Sequence, residues 1–522
     1  MADHTSRTRR SGGRSARLAA RRAPPQAARP QRRGAAGASF SPLSHRDVLR
    51  IHEAALSVLW EVGMGVIGEM PPGGKLILER GGQLSDSGRI RFPKALVEQV
   101  LSGAARRWTL HGLDEARSLE IAPGRAHYGT AGGAVLVLDP ESGRYREPTL
   151  ADHYDMVRLV DTLPHIRWCY RSLIARDLDD VALLDINTAY ALASGTTKPW
   201  GITLSSPSSV AAVTALFDLV LGGEGAFAKR PCAHMVQGAG VPPLRFAYDR
   251  CIIKEAAIAK GYPIMIASAP QAGATSPAAL AGTLVQVTAE VLAGLVYVNL
   301  LRPGHPVTFA AWPFVSDLRT GAMSGGSGEQ ALLMAGAAQM ARYYDLPCSV
   351  AAGMADSKLP DAQAGFEKAT TTLLAGLAGA SMVHEAAGMH ASLLGCALES
   401  FVIDNDMLGS VLRTVRGIEV SEDSLSLEVI RQVNEGGAGH YLGHDQTLQL
   451  MQSEYHYPPL SDRQTPGAWE EAGGEDIVAR ARSQVEATLA NHFPDHLSEA
   501  LDAEIRGRFD IRLPRTRMRR AS

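Results

Sequence analysis

From Ile166 onward, short apolar runs suited to buried strands recur at near-even spacing with helix-patterned stretches between them, and this rhythm constrains the fold more than any other feature. The runs begin near Ile166, Pro199, Cys232, Pro263, Val307, Cys348, Ser381 and Phe401, with start-to-start steps of 33, 33, 31, 44, 41, 33 and 20 residues. The connections 178–193, 210–221, 244–260, 277–300, 329–344 and 361–378 are each long enough for a crossover helix, which parallel strands require. The pattern predicts an α/β fold, a (β/α)8 TIM barrel, in preference to an open doubly wound sheet, because no GxGxxG follows the first strand.

The flanks read differently. Val48, Ile51, Ala55, Val58 and Leu59 follow a helical period from Ser44, which can cap the start, to Glu61, and Gly63 ends it. Residues 134–138 look like a strand and 139–143 like a turn. The expected organisation is therefore an Arg-rich arm (1–39), an N-terminal α+β cap segment (40–150), the barrel (151–410), a helical C-terminal extension (411–508) and a basic tail (509–522). Helices are expected in that extension over 406–416, 424–434 and 475–490.

Charge bears on the arm. Residues 1–36 carry ten Arg and one acid, Asp3, a net +9 that leaves −11 for the rest of a chain whose total is −2. Such a stretch buries almost nothing, so it is expected to be disordered and solvated or to touch a partner, rather than to bind nucleic acid. The C-terminal arginines are expected to form a second solvated tail. No apolar segment follows Arg21-Arg22, so neither a secretory nor a twin-arginine signal is supported. No run approaches 18 apolar residues, so no membrane span is expected. The five cysteines form no CxxC pair, which fits a reducing cytoplasm, and Cys169, Cys232 and Cys348 fall inside expected strands.

In a barrel, reactive groups stand at the C-terminal ends of the strands. Those ends offer Tyr170 and Arg171, Thr203 and Ser205, Gln237, Ser268 and Gln271, Trp312 and Phe314, residues 354–358, His384 and Glu385, then Asp404, Asn405 and Asp406. His384-Glu385 stands out, since two ionisable groups in an apolar strand must be hydrogen bonded, paired or functional. Adjacent strand residues face opposite ways, so only one of the two is expected to point inward. Trp312, Phe314 and Tyr170 offer aromatic faces, which attract quaternary ammonium groups. HExxH, paired Cys ligands, GxSxG and the P-loop pattern are all absent, and no metal is expected. The run Ser324-Gly325-Gly326-Ser327-Gly328 precedes a helix and reads as a mobile loop or helix entry, with anion binding the alternative.

Several strings coincide with one family. The stretch from Asp356-Ser357-Lys358 through Asp361, Gln363, Gly365, Phe366 and Glu367 resembles the DSK-x-x-D-x-Q-x-G-[YF]-E segment of the trimethylamine methyltransferase family. Gly436-Gly437-Ala438-Gly439-His440-Tyr441-Leu442-Gly443-His444 with Thr447-Leu448 is similar to its GGxGH[FY]LGH-x-x-TL stretch, and Glu454-Tyr455-His456-Tyr457-Pro458, Asp462-Arg463 and Trp469 fit the family's next segment. The resemblance spans nearly the whole chain. It implies transfer of a methyl group from a small methylated amine to the Co(I) corrinoid of a cognate corrinoid protein. Members acting on trimethylamine carry pyrrolysine, and this chain has only standard residues; members without it include enzymes for quaternary amines such as glycine betaine.

On that resemblance the expected catalytic residues are Glu385 and His384, and the expected substrate-binding residues are Trp312, Phe314, Tyr170, Gln237, Arg171 and Asp404. The corrinoid is expected on a separate protein, because no DxHxxG motif occurs here, with no cofactor bound tightly by this chain. A homo-oligomer is also expected, without nucleic acid or membrane. Two alternatives stay open: a non-catalytic binder of methylated osmolytes, and a barrel enzyme of diverged, lyase-like chemistry.

Overall fold

The computed structural model describes residues 33–238, 240–435 and 439–520. Most of the Arg-rich arm lies outside them. The chain divides into a large unit, through Val415 and again from Leu460, and a smaller one that includes Arg416–Pro459.

The large unit is built on a curled nine-stranded sheet. In chain order its strands are β1 (Ala35–Ala36), β2 (Arg125–Tyr128), β3 (Cys169–Tyr170), β4 (Trp200–Ile202), β5 (Ala233–Val236), β6 (Ile264–Ser268), β7 (Val307–Ala311), β8 (Cys348–Ala351) and β9 (Met382–His384). They lie in the order β1-β2-β9-β8-β7-β6-β5-β4-β3, all parallel except β1, which runs antiparallel on β2. Further backbone bonds run from Arg167 N–H to the Tyr128 carbonyl (2.7 Å) and from Thr130 N–H to the Trp168 carbonyl (3.3 Å), joining the segments that hold β2 and β3.

Seven of the eight expected strands are therefore present, and the eighth is not where the sequence placed it. Phe401 lies in a helix, Leu398–Arg416, with Phe401, Asn405, Leu408, Val411 and Val415 on its buried face. The eighth parallel strand is β2, from the segment expected to be only a cap. The arm's last residues, expected to be free, contribute β1.

The crossovers follow local rules. Helices α1 (Leu150–Asp161), α2 (Val181–Gly195), α3 (Pro207–Val220), α4 (Tyr248–Lys260), α5 (Leu280–Leu301), α6 (Gly328–Tyr343) and α7 (Ala362–Leu377) fall between successive strands. Thr149, Asp180, Ser206, Ser327 and Asp361 accept a first-turn backbone N–H at five of their N-termini, the purpose for which Ser, Thr and Asp are favoured there. α5 is long and apolar enough to cross a membrane by length and composition, contrary to expectation, but it is almost wholly buried inside the unit. It is the core helix that apolarity on all faces predicts. All five cysteines are free and buried.

After α7 and β9 comes α8 (Leu398–Arg416), and the extension continues with helices that include Ile477–Asn491 and Glu499–Arg508. The final arginines are exposed, but several of them are paired. Arg515 and Arg506 both pair with Asp502, which also accepts the Tyr190 hydroxyl proton; Arg517 pairs with Asp155, and Leu513 is buried. Carboxylates from earlier in the chain hold them, which charge density alone did not reveal.

The smaller unit contains helices Glu422–Leu425, Leu427–Asn434 and Asp445–Leu450, with Arg416 paired to Glu454 at 3.3 Å. Gly436, Gly437 and Ala438 of the glycine-rich string lie outside the described residues.

Candidate active site

Strand ends and the loops after them bring the expected residues into two neighbourhoods, joined by the sequence step from His384 to Glu385. The first lies within the sheet. Trp312, just past β7, donates its indole N–H to Ser349 Oγ on β8 at 3.1 Å. Ser349 Oγ is 3.0 Å from His384 Nδ1, and His384 Nε2 is 3.1 Å from His234 Nε2 on β5. Trp168 packs against His384, ring centroids 4.7 Å apart, and Trp312 lies 5.5 Å from it. Both imidazoles are fully buried, and desolvation holds them neutral, His234 down at about 3 and His384 well below the ordinary value. Position 201 on β4 has to be glycine, because a Cβ there would stand 2.4 Å from the Tyr170 ring and 2.8 Å from that of His234.

The second neighbourhood surrounds Glu385. This residue leaves β9 in a left-handed conformation, φ 65°, which is uncommon for a non-glycine residue. The residue is 2% exposed, and its Oε2 has no hydrogen-bond partner among the described residues. Burial pushes its pKa up to about 8, opposed only by a backbone N–H from Gly132. Gly132 is required twice over: its φ is 95°, and a Cβ would sit 2.9 Å from Glu385 Oε2.

Tyr170 and Arg171 lie close enough for charge to be felt, since Glu385 and Arg171 shift the Tyr170 phenol in opposite directions beneath a larger, raising effect of burial. The phenol bonds Thr203 Oγ1, which itself donates to the Val236 carbonyl. Arg171 pairs with Asp185 at 3.5 Å, and Asp185 also accepts the Ser205 backbone N–H at 2.8 Å. The Arg171 Nε is buried without a partner, so the guanidinium keeps an unused donor.

The other expected residues divide. Phe314 is buried on a short strand, Phe314–Ser316, beyond β7. Gln237 donates its amide to the Arg250 carbonyl at 3.3 Å. Asp404 needs correction: it lies on α8 rather than at a strand end, fully buried, with Lys368 Nζ at 2.7 Å and the Gly388 N–H at 2.8 Å. Its charge is already matched from within the protein.

Residues not singled out by sequence complete the picture. His234 and Ser349 are polar side chains in apolar strands, the same signal that drew attention to His384. The glycine-rich run at 324–328 does hold an anion, but an internal one: Asp356 accepts Ser324 Oγ at 2.6 Å and Gly325 N–H at 2.7 Å, and also the Ser392 hydroxyl. Asp356 thus ties together the loops that follow β7, β8 and β9. Among the described residues no group of His, Cys, Asp or Glu is arranged to hold a metal ion.

The profile of the trimethylamine methyltransferase family (MTTB) matches residues 10–513. The chain belongs to the trimethylamine methyltransferase family. Trimethylamine methyltransferase MttB of Methanosarcina thermophila is 31% identical over 463 residues, 87% of this chain and 94% of its own. Glycine betaine methyltransferase of Desulfitobacterium hafniense is 28% identical over 467 residues, 89% and 96% of the respective chains. Among solved structures, the monomethylamine methyltransferase MtmB of Methanosarcina barkeri aligns over 88% of this chain and 96% of its own, with 13% identity and a TM-score of 0.44. As a member of this family the protein is a methyltransferase.

Proposed function

We propose that this methyltransferase takes a methyl group from a small quaternary amine of the betaine type and passes it to the Co(I) corrinoid of a separate protein. We further propose that the eight parallel strands close into a (β/α)8 barrel, a reading supported by the Tyr128–Arg167 and Thr130–Trp168 backbone bonds, with Glu385 at its C-terminal mouth. The observation that carries the functional reading is Glu385: a fully buried carboxyl with one oxygen unpartnered and no cation bonded to it among the described residues.

A quaternary nitrogen cannot donate a hydrogen bond, so a site for it offers charge and aromatic faces instead. Desolvating that cation without compensation is prohibitive, and Glu385 together with Trp312, Phe314 and Tyr170 would offset it. The unused donor of Arg171 suits the substrate's carboxylate, and the Gln237 amide suits orienting it. Glu385, as the carboxylate, is then the catalytic group in contact with substrate, while His384, whose ring nitrogens both face other side chains, acts by position.

The partner's reduced corrinoid supplies the nucleophile for the methyl carbon. The chain's own contribution is to hold that methyl outward and to exclude water. When the C–N bond breaks, nitrogen keeps the electron pair and the bound cation becomes a neutral amine. The attraction to Glu385 that held the substrate is lost in the product, which favours release.

The test is direct. The protein is mixed with the reduced corrinoid protein and a panel of betaines, carnitines and simpler methylamines, and the absorbance of the reduced corrinoid is followed. Loss of that absorbance with a quaternary amine is the expected result. No change with any member of the panel would favour the non-catalytic binder.

A further inference from the structure

We propose that Ser349, His384 and His234 form one hydrogen-bonded chain that fixes the orientation of the Trp312 indole, which makes them positioning residues for the substrate cation; this rests on reading Trp312 as an aromatic face of the site.

The proton order follows from what each group can do. An indole N–H only donates, so Ser349 Oγ accepts from Trp312. Between His384 Nε2 and His234 Nε2, 3.1 Å apart, one nitrogen must carry a proton and the other must not. If His384 carries it, His384 Nδ1 is an acceptor for the Ser349 hydroxyl at 3.0 Å, and the proton of neutral His234 sits on Nδ1. That nitrogen is buried without a hydrogen-bond partner among the described residues in either order, so the choice is made at the Ser349 end.

The reverse order fails at the Ser349 end. It makes Ser349 Oγ accept from Trp312 and His384 together, leaving its own proton without use in the chain. An unsatisfied buried polar group is costly, so one order is selected and each link constrains the next. The rings cannot turn to escape, since Trp168 lies against His384 and the His234 ring fills the space over Gly201. The chain therefore spans β5, β9 and β8 and ends on an indole at the end of β7.

The experiment uses the full chain labelled with 5-fluorotryptophan. Its six tryptophans give six fluorine resonances, and Trp312→Phe identifies the one from Trp312. Ser349→Ala should move that resonance, and Ser349→Thr, which keeps the hydroxyl, should restore it. His234→Gln, two links further away, should move it as well. Affinity for tetramethylammonium should fall about three- to tenfold in Ser349→Ala and His234→Gln, with no added loss when either is combined with Trp312→Phe. A Trp312 resonance unmoved by a folded Ser349→Ala or by a folded His234→Gln overturns the chain. Wild-type protein that binds no cation while the resonances shift in the expected way overturns the functional reading and leaves the chain standing.

Discussion

Glu385 links the site's chemistry to pH. Its carboxyl titrates near 8 rather than in the ordinary carboxylate range because burial penalises the charged form. Below that pH most molecules present a neutral acid, so affinity for a quaternary cation should rise with pH, by up to about tenfold per unit, and level off above 8. Calorimetric titrations from pH 6.5 to 9 check this, and Glu385→Gln should be both weak and flat across the range. The linkage to folding has the opposite sign. With the folded pKa raised above the unfolded one, Glu385 costs nothing at pH below its unfolded value, and its cost grows as pH climbs toward 8. Relative to wild type, Glu385→Gln should therefore be more stabilising at pH 8 than at pH 5, as denaturant midpoints would show. A second prediction concerns Trp312→Leu, which should weaken cation binding roughly tenfold at pH 8.5 while the protein still folds, an aromatic face in a dry site being worth up to about 2 kcal/mol. At this scale the sequence marked His384 and Glu385 correctly as a costly pair, but it did not separate their roles. Adjacent side chains are buried along the other strands too, as in Val307–Ala311 and Cys348–Ala351, so burial of both does not tell them apart; what does is the left-handed turn at 385, which ends the alternation there.

Among the elements, legibility depended on how local the signal was. Seven parallel strands could be read because each is a short apolar run followed by a stretch long enough for a helix, and four of those helices carry a side-chain cap at the N-terminus. The run at Phe401 imitates that pattern, yet Phe401, Asn405, Leu408 and Val411 also fall on one helical face, and packing against the body decides for the helix. The strand that replaces it, Arg125–Tyr128, alternates too briefly and is too polar to stand out. The same misplacement put Asp404 at the mouth. Its real partner, Lys368 on α7, joins two helices through a buried ion pair. Lys368→Met should destabilise the fold by about 3–5 kcal/mol, because it leaves the Asp404 charge buried and unmatched. The double variant with Asp404→Asn should recover part of that loss. Chemical denaturation measures both, and cation affinity in Asp404→Asn should stay near wild type; a large loss would return Asp404 to the binding site.

For the whole molecule, the proposed function asks how a methyl acceptor carried on another protein would reach the C-terminal ends of the strands. The loops and first helical turns after β7, β8 and β9 carry Leu318, Leu359, Leu394 and Phe366, each at least half exposed, with only a few charges such as Arg319 and Lys358 nearby. Large apolar side chains grouped at one end of a parallel sheet are what a docking face requires, and Asp356 braces the three loops that carry them. If the corrinoid protein seats there, Leu394→Asp should raise the concentration of corrinoid protein needed for half-maximal transfer by about tenfold or more, since a buried charge at an interface core is strongly unfavourable. The same change should leave quaternary-amine affinity untouched, because Leu394 faces solvent rather than Glu385. Steady-state transfer assays with the corrinoid protein as the varied substrate separate the two effects. A variant that loses amine affinity instead, or that transfers at the wild-type half-saturation point, would place the docking face elsewhere.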